Sequence, residues 1–238
     1  MNTLEKDKEA LSWLTCAWDD YADNFLFLLP VLLTQTALSA GAFYLIWRYH
    51  SLLAAAPYML FVTTPIATGA NLVYIKVARG GGGARFRDLF SAFPVYHRAL
   101  AVSLWLGVIT MGGALLLVVP GVMFFLAYGF SEYAVVDRRT GIKESFQLSA
   151  IITDGWKSRL LFVFTLLLLV NLMGPDIFVI TGPLKSPSAS LNLKPWVLTA
   201  AALKTLVFLP WLSLAMARAY NFMLRAPRPE PAEAGKVD

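Results

Sequence analysis

Residues 24–47 read NFLFLLPVLLTQTALSAGAFYLIW and contain no charged side chain. The stretch is longer than the roughly 20 residues that an α-helix needs to cross a bilayer. A second apolar stretch, residues 52–77, follows after only the four residues RYHS. Two apolar stretches of membrane-spanning length, separated by so short a joint, predict a transmembrane helical hairpin.

The composition of the whole chain points the same way. Of its 238 residues, 58% are hydrophobic and 15% are charged, whereas a soluble domain has about 45–50% apolar and about 25% charged residues. A soluble surface of this size would need more charge, so a soluble globular fold is excluded. Residues 1–23 are polar and acidic without a short apolar core, so we expect no cleavable signal peptide.

Four further apolar stretches complete an expected bundle of six spans. Pro120-Gly121 is expected to separate spans three and four, and the Pro- and Ser-rich residues 182–195 are expected to form a loop. We therefore predict an all-α, polytopic transmembrane domain over residues 1–225 and a disordered tail over residues 226–238. The predicted spans are residues 24–47, 52–77, 99–119, 122–136, 160–180 and 196–223.

The distribution of lysine and arginine predicts the orientation. Of the 20 basic residues, 16 fall on the side of the membrane that carries both termini and three fall on the other side; Lys204 lies inside span six. Positive residues accumulate in cytoplasmic loops. We therefore expect a multi-pass protein of the inner (cytoplasmic) membrane with both termini in the cytoplasm.

Three segments on the predicted cytoplasmic side share one pattern, in which an amphipathic stretch with aromatic and charged residues runs directly into an odd-numbered span. Such stretches are typical of helices that lie in the headgroup region. The alternative is that any loop entering a membrane shows this pattern. We predict three units, each an interfacial helix followed by a hairpin, beginning in residues 11–33, 86–108 and 143–167.

Polar residues within the spans are the first candidates for a functional site, because ionisable groups in hydrocarbon are costly and usually have a role. Glu132 in span four and Arg218 in span six have similar predicted depths, so an ion pair between them is one expectation. Asn71 belongs to a polar stripe on span two that either lines a cavity or allows close helix packing. Lys204 either extends outward to the interface or meets Asp176.

The predicted cytoplasmic side of the bundle carries many basic residues, and this strongly basic rim is the second candidate site. Its arginines either bind anionic lipid headgroups or an acidic partner, or serve only to fix the topology. The candidate headgroup contacts are Arg85, Arg87, Arg138 and Arg139.

Several longer motifs resemble a family of bacterial membrane proteins. They are SWLTCAWDDYADNFLFLL (residues 12–29), PIATGANLVYIKVARGGGGARFRDLFSAF (65–93), VVPGVMFFLAYGFSEYAVVD (118–137) and GIKESFQLSAIITDGWKSRLL (141–161). They are similar to the membrane domain attached to some glycerophosphoryl diester phosphodiesterases, and the resemblance covers about residues 10–170. It implies a six-helix membrane domain; the phosphodiesterase activity itself belongs to a separate soluble barrel, so no catalytic residue is implied here.

The residues favour a non-enzymatic function. One cysteine and two histidines offer no nucleophile–base pair and little material for a metal site, and we expect no cofactor and no nucleic-acid partner. The first hypothesis is a scaffold or accessory subunit that contacts lipids, a membrane-protein partner or further copies of itself. The alternative is a small transporter or lipid-handling protein with a polar path near spans two, four and six. A continuous, water-accessible cavity reaching Asn71 or Glu132 would favour this alternative, and a closed bundle with a large apolar side face would favour the first hypothesis.

Overall fold

The computed structural model describes residues 10–183 and 187–226. About 81% of the structure is helical and almost none of it is sheet, which confirms the predicted all-α class. Nine α-helices, here α1 to α9, and one short hairpin make up the described part of the chain. The helices are Ala10–Asp23 (α1), Phe25–Tyr49 (α2), Leu52–Val77 (α3), Tyr96–Leu116 (α4), Val118–Tyr128 (α5), Ser131–Arg138 (α6), Ile142–Thr153 (α7), Lys157–Met173 (α8) and Pro195–Arg225 (α9).

Within these described residues, five helical segments are long and apolar enough to cross a membrane. They are α2, α3, α9, the segment Phe86–Leu115 that contains α4, and the segment Val119–Arg138 that joins α5 and α6. A sixth crossing is reached if α7 and α8, which bend by 107° at the break between them, count as one span. The architecture is therefore that of a multi-pass membrane protein with five to six spans.

The first and third of the segments expected to form interfacial helices contain separate helices, α1 and α7. The second segment forms two 3₁₀ turns, Phe86–Phe90 and Phe93–Val95, before α4 begins. Gly69 explains how the first of these turns can pack on α3. A Cβ atom at Gly69 would overlap the carbonyl oxygen of Leu89, so only glycine allows this approach.

The predicted boundary between spans three and four is wrong by three residues. Helix α4 ends at Leu116 and the break falls at Leu117, which is extended (φ −161°, ψ 145°). Pro120 lies in the first turn of α5, where its missing N–H has no helical acceptor to lose. Gly121 then packs against α4, since its Cβ would lie 2.7 Å from the Ala114 nitrogen.

The predicted fifth span is also wrong at its carboxyl end. Helix α8 stops at Met173, and Gly174 is extended (φ −73°, ψ 126°) before Pro175, which disfavours helix at the residue preceding it. Residues Phe178–Thr181 (β1) instead pair antiparallel with Ser188–Leu191 (β2), with Phe178 opposite Leu191. Part of the predicted 182–195 loop is therefore a strand, and the predicted tail lies outside the described residues from 227 onward.

The bundle has two distinct ends. At one of them, called the basic end here, α3, α6 and α9 terminate near Arg79, Arg138 and Arg225. An aromatic cluster ties α1, α8 and α9 together at this end, with ring centroids 6.0 Å apart for Trp13–Phe222 and 5.0 Å apart for Trp156–Phe222. The opposite end, called the hairpin end, carries β1 and β2, and the ring of Phe178 lies 4.7 Å from that of Phe43 on α2.

Candidate functional site

A groove with a volume of about 480 Å³, lined by both polar and apolar residues, opens between four helices and the hairpin. Helices α2 and α3 form one side, α8 and α9 form the other, and Phe178 of β1 lies at the hairpin end. A smaller hollow of about 200 Å³ shares Gln35, Ser39 and Ala67 with it and extends it toward Thr63 and Thr64. We call the two together the central groove. Its polar lining residues are Gln35, Thr36, Ser39, Thr63, Thr64, Asn71, Tyr74, Asn171, Thr205 and Ser213.

Most of these polar side chains make no side-chain hydrogen bond to the described residues. Thr63 and Thr64 donate to the Met59 carbonyl, and the Asn171 amide donates to the Leu167 carbonyl. The other seven make no side-chain hydrogen bond within the part of the chain that the structure describes. They are Gln35, Thr36, Ser39, Asn71, Tyr74, Thr205 and Ser213.

Unpaired polar groups have a clear consequence inside a membrane. A hydroxyl or amide group in hydrocarbon costs several kcal/mol unless a partner satisfies it. Thr36, Ser39 and Asn171 are exposed, so the groove is open rather than sealed. Its lining therefore offers hydrogen-bonding partners to water or to a polar molecule.

Two π-helical turns border the central groove. One is Met59–Thr63 in α3 and the other is Lys204–Phe208 in α9. Each contributes a threonine to the lining, Thr63 and Thr205. A π-turn widens a helix locally and often marks a functional position.

Pro210, which also lines the groove, explains an unusual contact of α9. A proline within a helix cannot donate to the carbonyl four residues earlier, which here belongs to Leu206. The hydroxyl of Tyr21 donates to this Leu206 oxygen at 2.6 Å. Helix α1 thus supplies a donor to the Leu206 carbonyl, to which Pro210 cannot donate.

A buried lysine, Lys204 of α9, binds the carboxyl-terminal end of α8 next to the groove, at the hairpin end. The Lys204 ammonium donates to the carbonyl oxygens of Asn171 and Gly174 at 3.1 and 3.2 Å and to Asp176 Oδ1 at 2.9 Å. The expected contact between Lys204 and Asp176 is therefore present. Since an ammonium group has three N–H donors, all of them are in use.

The predicted intramembrane residues lie in three different places. Asn71 lines the central groove, which is the cavity-lining alternative for span two, whereas Gly69 on the same helix serves packing. Glu132 accepts a hydrogen bond from Ser103 of α4 at 2.6 Å. Arg218 instead forms an ion pair with Asp20 of α1.

The expected Glu132–Arg218 pair is therefore wrong. Similar depth in two spans does not place two side chains on facing surfaces of their helices. Glu132 faces α4, and Arg218 faces α1, a helix that the prediction placed in the headgroup region and did not consider as a partner.

The four arginines predicted to contact headgroups are all exposed at the basic end. Arg85 precedes the turn whose Asp88 pairs with Lys76 near the end of α3. Arg138 and Arg139 follow Asp137, which pairs with Arg79 at 2.7 Å. The hydrogen bond to Asp137 raises the pKa of the Arg79 guanidinium above its ordinary value.

Sequence reasoning missed most of the groove. The detectable signal was the pair Gln35 and Ser39, polar residues four positions apart and therefore on one face of an otherwise apolar span. Asn171, Thr205 and Ser213 gave no signal of their own. Among residues 10–183 and 187–226, no group of three or more His, Cys, Asp or Glu side chains comes together that could hold a metal ion.

Comparison of the chain with models of protein families, with curated proteins and with solved structures finds no match. The resemblance to the membrane domain of glycerophosphoryl diester phosphodiesterases stays a prediction.

Proposed function

We propose that this protein is a small membrane transporter that binds an uncharged polar molecule in the central groove and carries it across the inner membrane. In this proposal both termini face the cytoplasm, as the distribution of basic residues predicts. The chain acts without a cofactor and without catalysing a reaction. The transporter is the alternative hypothesis that the sequence offers, and the groove that Asn71 lines supports it; Glu132 and span four lie outside this groove.

The seven unpaired polar side chains carry this proposal. A groove kept open only for packing would be lined by small apolar residues, because each unsatisfied polar group costs free energy. The groove has apolar lining residues, among them Leu32, Leu167 and Leu209, and it also presents amide and hydroxyl groups from α2, α3 and α9. Its volume also falls within the range of about 300–1,000 Å³ that is common for small-molecule sites.

The chemistry of the lining indicates the class of ligand. None of the described residues that line the groove is an Asp, Glu, Lys, Arg or His. Lys204, the charged residue next to Thr205, already has three acceptors. Amide and hydroxyl groups without a net charge suit a neutral compound rich in hydroxyl or amide groups, such as a polyol, a sugar or a small amide.

The scaffold hypothesis has no comparable support from a single feature. Helix α4 exposes Leu104, Trp105, Val108 and Met111, and such a face could bind a membrane-protein partner or a second copy of the chain. Every lipid-facing helix exposes similar residues, so the face does not favour a partner over lipid. Contact with membrane lipids belongs to both hypotheses.

The proposal can be tested by measuring binding to the purified full-length protein in detergent. Thermal unfolding would be followed with increasing concentrations of sorbitol, glucose and acetamide, and with glutamate and lysine as charged controls. We expect a saturable increase in the unfolding temperature with at least one neutral compound. Gln35→Leu/Asn71→Leu should abolish it, whereas Gln147→Leu, an exposed position on α7, should not.

Uptake of the radiolabelled form of that compound into proteoliposomes then tests transport itself. The proposal predicts saturable uptake by the wild type and by Gln147→Leu, and none by Gln35→Leu/Asn71→Leu. The proposal is wrong if no neutral compound gives a saturable shift, if the double variant responds like the wild type, or if binding occurs without uptake.

A further inference from the structure

A second recess, distinct from the central groove, lies at the basic end of the bundle. It has a volume of about 390 Å³ and forms where α3, α6 and α9 terminate. Its lining residues are Arg79, Asp137, Arg138, Asn221, Leu224 and Arg225.

The floor of this recess is a fixed hydrogen-bond network. Arg79 donates from both terminal nitrogens to the two oxygens of Asp137, each at 2.7 Å, and from Nε to the Asn221 amide oxygen at 2.9 Å. Asn221 in turn donates to the Ile75 carbonyl at 3.1 Å, and Tyr220 donates to Asp137 at 3.3 Å. The carboxylate of Asp137 is thus already paired, and it neutralises Arg79.

The rim carries two further arginines. Within the described part of the chain, Arg138 and Arg225 form no ion pair and no side-chain hydrogen bond, and both are exposed. With Arg79 and Asp137 compensating each other, the recess carries a net charge of about two positive units from these two guanidinium groups.

Helix geometry alone does not account for this arrangement. Arg138 and Arg225 occupy the last turns of α6 and α9, where a cation interacts favourably with the helix dipole. That effect explains a cation at each helix end. It does not explain why the guanidinium groups of Arg138 and Arg225, which have no partner among the described residues, border the same recess. It also does not explain why the paired guanidinium group of Arg79 lies at the floor of that recess.

We propose that this recess binds a phosphate group, with Arg138 and Arg225 as its ligands and the Arg79–Asp137 pair as its floor. A guanidinium group presents two parallel N–H donors that match two phosphate oxygens, so two of them can hold one phosphate from both sides. The phosphate belongs either to the headgroup of an anionic lipid or to a soluble phosphate compound. Both share this chemistry, and basic recesses between membrane helices suit headgroups in particular.

The test uses the full-length protein in detergent, freed of bound lipid. Unfolding temperature is measured against inorganic phosphate, with chloride at the same ionic strength as control, and against micellar phosphatidylglycerol, with phosphatidylcholine as control. Three variants are compared with the wild type. Arg138→Gln/Arg225→Gln removes the two ligands, Arg85→Gln/Arg87→Gln removes the same charge outside the recess, and Arg138→Lys/Arg225→Lys keeps the charge without the paired donors.

We expect phosphate or phosphatidylglycerol to stabilise the wild type and Arg85→Gln/Arg87→Gln. The dissociation constant should rise about ten- to a hundredfold in Arg138→Gln/Arg225→Gln and by less in the lysine variant. Stabilisation by phosphatidylglycerol alone identifies a lipid headgroup, and stabilisation by inorganic phosphate identifies a soluble ligand. Equal losses in both glutamine variants, or no stabilisation beyond the chloride and phosphatidylcholine controls, would overturn the proposal.

Discussion

Arg218 of α9 holds Asp20 of α1 through two hydrogen bonds, from Nε to Oδ2 at 2.6 Å and from Nη2 to Oδ1 at 2.7 Å. Both side chains are largely buried, with 30% of the arginine and 13% of the aspartate exposed. The amino-terminal helix is therefore bound to the last span by a bidentate ion pair in addition to apolar packing.

A charge swap tests this pair. Asp20→Arg and Arg218→Asp should each destabilise the protein, by about 1.5–3 kcal/mol for the lost charged hydrogen bonds, and the double swap should recover part of the loss. Unfolding temperatures in detergent measure the effect. A matched double-mutant cycle between Glu132→Gln and Arg218→Ala should be additive, and strong coupling there would restore the rejected Glu132–Arg218 pair.

The substitution Tyr21→Phe tests whether the hydrogen bond from the Tyr21 hydroxyl to the Leu206 carbonyl stabilises the protein. Tyr21→Phe leaves the Leu206 carbonyl without its donor, which should cost about 1–3 kcal/mol of stability. Tyr44→Phe, at an exposed site on α2, should have no such effect. A Tyr21→Phe protein as stable as the wild type would mean that this hydrogen bond does not support α9.

The pH dependence of the same variant has a defined sign. Burial raises the pKa of the Tyr21 hydroxyl above its ordinary value, so the hydroxyl stays protonated to a higher pH in the folded state than in the unfolded state. The stability that depends on the protonated hydroxyl is complete below about pH 10 and declines as the pH rises further. The difference in the free energy of unfolding between the wild type and Tyr21→Phe should therefore become smaller above about pH 10.

Gly69→Ala tests close packing against α3. Its Cβ would meet the Leu89 carbonyl, so the Phe86–Phe90 turn must move, and we expect a clear fall in the unfolding temperature. Gly112→Ala on α4 is the matched control because a Cβ there meets nothing within 4 Å; it should be neutral or slightly stabilising. Equal effects of the two substitutions would contradict the described packing.

Lys204→Met tests the anchoring of α8. The substitution leaves the carbonyls of Asn171 and Gly174 without their donor, and should cost about 1–3 kcal/mol. Asp176→Asn removes only the exposed charge of the pair, since 67% of that side chain is exposed, and should cost less than about 1 kcal/mol. Thermal unfolding measures the loss of stability in both variants. A larger loss for Asp176→Asn than for Lys204→Met would refute this role of Lys204.

The fold was largely predictable because its signal is local. An apolar run of 20 or more residues indicates a span from its own composition, and α2 and α3 begin and end within two residues of their predicted limits. The breaks were less predictable because they depend on contacts between helices. Leu117 ends α4 in place of Pro120, and a hairpin replaces the last residues of the predicted fifth span.

The part of the candidate site that the sequence predicted is the polar stripe on span two, of which Thr63, Thr64 and Asn71 line the groove. A groove arises from the relative rotation of helices, and a sequence pattern fixes which face of a helix is polar but not which helix that face meets. Glu132 and Arg218 illustrate the limit, since each found a partner on a helix other than the expected one. Thr205 lies within a π-turn of α9 and Ser213 follows Pro210, so their orientation does not follow from residue spacing on a regular α-helix.

The central claim, that the groove holds water or a polar ligand within the membrane, is tested most directly by thiol labelling. In a Cys16→Ser background, Asn71→Cys and Ser213→Cys would be treated with a charged, membrane-impermeant maleimide in proteoliposomes, beside Leu104→Cys and Val108→Cys on the apolar face of α4. A thiol reacts as its thiolate, which forms only where water reaches it. We predict that both groove positions react and that both α4 positions do not. Groove cysteines as unreactive as those on α4 would contradict the account.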